Sequence, residues 1–130
     1  MGEQFAHETH GTITVPSVPS SVAAVRRYTG GVCRAAGLDE LTDTAALLVS
    51  EVATNALVHG SGEVRVVAHA TADLLRVEVQ DDEPRLPRQR AAKDLDEGGR
   101  GLALLDALAT AWGTDGRSDG KTVWFELRLP

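Results

Sequence analysis

At 130 residues, with 42% hydrophobic and 25% charged side chains, the chain has the composition of a single folded domain, too short for a second one and too apolar for wholesale disorder. A formal net charge of -6 gives it no general attraction to a phosphate backbone, which argues against nucleic acid as a direct partner. The one cysteine, Cys33, excludes an internal disulfide and any multi-cysteine zinc site, and suits a reducing cytoplasm.

Residues 1–11, "MGEQFAHETHG", form a polar tail without the apolar core of a signal peptide, and Ala6 breaks the myristoylation pattern. No window is expected to reach the apolar length of a membrane span, so the expectation is a soluble, cytoplasmic protein with no membrane partner. The remainder, 12–130, reads as one domain. "TITV" at 12–15 is a strand candidate, and "PSVPSS" supplies a turn and a helix start before a helix over 23–36 that Gly37 stops. "LDELTDTAALLVSEVATNALVHG" has early acidic residues, a sustained apolar period and Gly60 at its end, which predicts a helix of about 20 residues. From Glu63 the period changes to two: "EVRVVAHA" and "LLRVEVQ" around "TAD" predict an antiparallel hairpin with one buried face, ending at Asp81. Residues 82–100 hold two prolines, mixed charge and little periodicity, and are expected to form a long loop of the kind used as a lid. A helix is predicted from Gly101 to about Ala111, then a turn region, "WGTDGRSDG", then a closing strand, "KTVWFELRLP". Hairpin-connected strands mixed with helices predict an α+β fold rather than a doubly wound parallel sheet.

Within the long helix, Glu51, Asn55 and His59 recur every four residues. Each step turns the helix by about 400°, so the three side chains share one edge at the margin of the apolar face. Asn is a poor mid-helix residue because it competes for local backbone hydrogen bonds, so its amide needs a use. An Asn oxygen completed by nucleotide phosphates would suit a hard cation such as Mg²⁺, and a carboxylate one turn earlier would orient or deprotonate an attacking hydroxyl. A solvated helix margin is the plainer reading of each position alone. Asp81, at the end of its strand, serves either turn formation or recognition of an exocyclic amine such as that of adenine. Gly98, Gly99 and Gly101 precede an apolar helix, an arrangement that serves either as a hinge or as a place for phosphate at a positive helix end. Neither a dinucleotide fingerprint nor a Walker-type loop is present.

In this order the three elements resemble the nucleotide-binding motifs of the GHKL ATPase superfamily, which includes sensor histidine kinases, gyrase-type ATPases, heat-shock chaperones and anti-sigma factor serine kinases. Glu51, Asn55 and His59 resemble the N box; "VQDDEPRL" resembles the G1 region, with Asp81 at the adenine position; "GRGLAL" resembles the G2 box; and "GKTVWFEL" resembles the closing strand, with Thr122 near the adenine pocket. "TNALVHG" and the short segment between G1 and G2 look most like the stand-alone anti-sigma factor serine/threonine kinases. The resemblance implies a two-layer α/β sandwich, a mixed, mostly antiparallel sheet with helices on one face. It implies ATP and Mg²⁺ as cofactors, with Asn55 as the metal ligand and Glu51 as the catalytic base. His59, Asp81, Gly99, Arg100, Gly101, Leu102 and Thr122 are implied to contact the nucleotide. Glu83 and Arg85 stand where the G1 turn of the family has small residues, and Ala103 replaces the last G2 glycine.

The resemblance implies an ATP-dependent kinase acting on an anti-sigma factor antagonist, with a sigma factor and a second copy of the chain as further partners. A non-enzymatic nucleotide-binding module that works by protein binding is the alternative, suggested by the altered G1 turn. A detached histidine-kinase catalytic domain is disfavoured, because none of His7, His10, His59 or His69 sits in a convincing dimerisation helix.

Overall fold

The computed structural model describes residues 9–59, 62–82 and 100–130, without the side chains of residues 59 and 100. The elements are β1 (Thr9–Pro16), α1 (Ser21–Ala35), a single 3₁₀ turn (Asp39–Leu41), α2 (Thr42–His59), β2 (Glu63–Ala70), β3 (Leu74–Asp81), α3 (Arg100–Leu108), β4 (Ala111–Arg117) and β5 (Gly120–Arg128). The strands form one sheet in the order β1-β2-β3-β5-β4. Every neighbouring pair is antiparallel, so the mixed sheet expected from the sequence is antiparallel throughout among the described residues. The α+β architecture with helices on one face is as expected.

Strict alternation puts Val64, Val66, Ala68 and Ala70 of β2, Leu75, Val77 and Val79 of β3, and Val123, Phe125 and Leu127 of β5 on the buried side. Register lines them up across strands, with Val66 opposite Val79 and Val77 opposite Phe125. Against this layer α1 sets Val25, Val32 and Cys33, and α2 sets Ala45, Leu48, Val49, Val52, Ala53 and Ala56. Helix α1 ends in a Schellman motif. Gly37, at φ 78, donates to the Arg34 carbonyl over 3.1 Å, Leu38 donates to the Cys33 carbonyl over 2.8 Å, and the Leu38 side chain closes the motif in the core.

Two expectations are corrected. The stretch Asp39–Val58 is long and apolar enough, by length and composition, to pass as a membrane span. Leu41, Ala45, Leu48, Val49, Val52, Ala53 and Ala56 of this stretch are buried in the core, whereas Leu47 and Val58 are exposed. The "WGTDGRSDG" region is not all turn, and α3 stops at Leu108 to leave room for a strand, β4. That strand pairs with β5 from Ala111 opposite Glu126 to Arg117 opposite Gly120, leaving only residues 118–119 as the turn. The glycine that suggested a turn has a packing reason: a methyl on Gly113 would lie 2.8 Å from the Trp124 indole across the rung. On the face away from the helices Arg76 stacks 4.3 Å above the Trp124 ring and pairs with Glu78 at 3.2 Å and Glu126 at 3.0 Å. Of the long loop expected over 82–100, residues 83–99 lie outside those described, and Arg100 is the first residue of α3.

Candidate functional site

Helix α2 carries Glu51 and Asn55 one turn apart, both half-buried, beside the stripe of Val49, Val52 and Ala56 that enters the core. The first turn of α3 faces them: a methyl on the buried Gly101 would lie 3.9 Å from Glu51 Cβ. Glu51, Val52 and Asn55, together with Gly101, Leu102 and Leu105 of α3 and Val123 of β5, line a cavity of about 20 Å³. That holds about one water molecule.

Asn55 Oδ1 is buried and accepts no hydrogen bond among the described residues. Leaving such an acceptor unpaired costs about 1–3 kcal/mol, and native structures hold few of them. Tyr28 Oη and Thr42 Oγ1 are in the same condition. They stand over Gly11 of β1 and at the first residue of α2, apart from the carboxylate and the helix start that surround Asn55. An amide carbonyl oxygen is a donor suited to Mg²⁺, so Asn55 fits that ion as one ligand. No group of three or more His, Cys, Asp or Glu among the described residues could hold a metal, so phosphate and water oxygens would have to complete the shell.

At the far end of β3 lies a second polar cluster. Asp81 Oδ2 accepts a hydrogen bond from Lys121 Nζ at 2.7 Å, and both side chains are 1% exposed. They face each other as partners on β3 and β5. The same alternation that turns Lys121, Val123 and Phe125 inward turns Thr122 outward. There its hydroxyl accepts from Arg117 Nη1 at 2.7 Å, so the structure does not bring the Thr122 side chain to the cavity lined by Asn55. Arg117 Nη2 also donates to the Asp81 carbonyl at 3.3 Å. Sequence reasoning missed Lys121. The available signal was its place in register with Val123, Phe125 and Leu127, a line of inward residues in which a lysine demands a partner.

Of the expected site residues, Glu51, Asn55, Gly101 and Leu102 meet around one cavity, and Asp81 lies on the sheet below with Lys121. His59 is the last residue of α2 and Arg100 the first of α3, but their side chains, and Gly98 and Gly99, are outside the described residues. A larger groove of about 430 Å³ lies between Ser17, Pro19 and Val22 and the Thr54, Leu57 and Val58 side of α2. Its lining is chiefly apolar and includes no acid, base or cation, so the chemistry belongs with the smaller cavity. Burial pushes the Cys33 thiol up, which makes it an inert core residue and not a nucleophile.

An antiparallel sheet backed by helices on one face, with a carboxylate and an amide on one helix facing a glycine-containing helix start, is the layout of an ATP-binding regulatory domain. The chain belongs to the histidine kinase-like ATPase domain family, whose model matches residues 15–127. It is also similar to an uncharacterized protein of Streptomyces coelicolor, with 50% identity over 50 residues, 37% of this chain and 48% of that protein. The chain thus spans about half the length of that relative.

Proposed function

We propose that the protein is a regulatory serine/threonine kinase of the anti-sigma type. In this reading it binds Mg·ATP, phosphorylates a hydroxyl on an antagonist protein, and holds a sigma factor when the antagonist is unavailable. Family membership supports ATP binding. The observation that carries the rest is the unpaired, buried Asn55 Oδ1 one helical turn from Glu51 and opposite the start of α3. Asn55 would hold Mg²⁺, which when bound neutralises charge on the phosphates. Glu51 accepts the proton of the attacking serine or threonine hydroxyl as its oxygen bonds to the γ-phosphorus, while the bond to the β-γ bridging oxygen breaks and ADP leaves. The start of α3 supplies backbone N–H groups and a positive dipole end for the phosphates. A cytoplasmic location and assembly with a second copy belong to the same reading.

A non-enzymatic module is the second reading. The Lys121 ammonium on Asp81 favours it, because an ion pair already occupies the carboxylate that the kinase reading assigns to the adenine base. Titration calorimetry with ATP, with and without Mg²⁺, and transfer of labelled phosphate to candidate antagonist proteins separate the two. The kinase reading expects Mg²⁺-dependent binding that Asn55→Ala abolishes, followed by phosphoryl transfer. Binding without transfer to any antagonist moves the assignment to the module. No heat with millimolar nucleotide and Mg²⁺ removes both.

A further inference from the structure

The outer face of the sheet carries two imidazoles that the readings above do not use. Buried Ala68 and Ala70 flank His69 on β2, so alternation turns His69 away from the helices. His10 of β1 is its partner across the ladder, and both are exposed. Directly opposed residues hold their Cβ atoms about 5 Å apart, and here the two rings meet edge to face with centroids 5.6 Å apart and planes at 72°. The backbone beneath them is fixed. Strand β1 pairs with β2 along its whole length, from Thr9 opposite Ala70 to Pro16 opposite Glu63. Beside His10, Gly11 lies against the Tyr28 hydroxyl of α1, which a methyl there would strike.

Neutral imidazole is a ligand for Zn²⁺ and its neighbours late in the first transition row, whereas Mg²⁺ takes oxygen. A tetrahedral ion about 2.1 Å from one nitrogen of each ring holds the ring centroids roughly 5 Å apart, close to the separation already present. The remaining adjustment falls on χ2 of histidine, a broad torsion that turns at little cost. A ligating ring keeps its second nitrogen for another partner, so a hydrogen bond to His69 does not block ligation. The cation beside the pair is Arg76, the partner of His69 on β3, but its guanidinium is drawn toward β5 by Glu126 at 3.0 Å and by the Trp124 ring. We infer that His10 and His69 form a cross-strand site for a late first-row divalent cation, Zn²⁺ foremost, which clamps the edge strand β1 to the sheet. No third His, Cys, Asp or Glu among the described residues completes the site, so water fills its other positions. It lies on the opposite side of the sheet from Asn55 and does not depend on the nucleotide-binding reading.

The test titrates Zn²⁺ into the parent protein by calorimetry and follows the thermal midpoint of unfolding. Zn²⁺ should bind, should raise the midpoint because the ion is held only by the folded strand pair, and should resist displacement by excess Mg²⁺. His10→Thr and His69→Thr keep strand-forming side chains at exposed positions, so both variants should fold. Each should weaken Zn²⁺ binding by about tenfold or more, since losing even an outer partner of a metal ligand costs that much. No Zn²⁺ binding by the parent, displacement by Mg²⁺, or parental affinity in either variant overturns the inference. A loss shared by His7→Ala and His10→Thr but absent from His69→Thr places the ion on the N-terminal segment instead, and overturns it as well.

Discussion

Two polar clusters lie on the helix side of one sheet, and they have opposite accounts of their hydrogen bonds. At the end of β3 and β5, Asp81 and Lys121 are both buried, joined at 2.7 Å and braced by Arg117 and the close approach of Gly120. Beside the α2 margin, Asn55 Oδ1 is equally shut off from water and accepts no hydrogen bond among the described residues. The first cluster is satisfied by the fold and so contributes to its integrity. The second costs the fold free energy, and such a cost persists where a ligand or a moving element supplies the missing partner. One region holds the structure together; the other is held by it for use.

The comparison breaks most visibly if one partner of the satisfied cluster is removed. Lys121→Met leaves a buried carboxylate without its cation and should cost about 3–5 kcal/mol of unfolding free energy in urea. Replacing both partners, as in Lys121→Met with Asp81→Asn, removes both buried charges and should recover most of that loss. Equal losses in the single and double variants would mean that the pair acts through packing and not through charge.

The site side is sharpened by Glu51→Gln. Size and much of the hydrogen bonding survive, but the amide cannot accept the hydroxyl proton. Phosphoryl transfer to the antagonist should fall roughly 10²-fold or more with little change in nucleotide binding. A variant that transfers at the parental rate takes Glu51 out of the base role.

Asn55→Ala inverts the usual result of altering a buried residue. It removes an unpaired acceptor and replaces a weak helix former with the best one, a gain of about 0.7 kcal/mol from propensity alone. Stability by urea unfolding should therefore hold or rise by about 1 kcal/mol, while the Mg²⁺-dependent part of nucleotide binding disappears. A clear loss of stability would show that Asn55 Oδ1 already serves the fold.

What the sequence disclosed follows the same division. Where periodicity decides, it was legible: the four-residue row on α2 and the two-residue alternation of β2 and β3 gave the elements and their buried faces, and the N-box spacing placed Glu51 and Asn55 together. Where a contact spans distant segments, local pattern misled. "WGTDGRSDG" reads as turn because its three glycines and two aspartates favour turns, yet Gly113 is required by the Trp124 indole across the ladder. Thr122 and Lys121 are neighbours, and only the register of β5 says which of them faces the helices. Lysine reads as a surface residue until its partner is known, and Asp81 lies 40 residues away in the chain.

The smallest expected effect is on the opposite face of the sheet. Arg76 lies 4.3 Å above the Trp124 ring and makes ion pairs with Glu78 and Glu126, but its side chain is 33% exposed, so water screens these contacts. Arg76→Ala should cost about 1 kcal/mol or less, with the loss reduced further in high salt and nucleotide affinity unchanged. Its distance in kind from the Asp81-Lys121 pair is what the comparison tests. Both are cross-strand charge contacts on β3 and β5, one facing helices and the other facing solvent. If Arg76→Ala destabilised the protein as much as Lys121→Met, burial would not be what separates them, and the outer face would have to be treated as a second structural core.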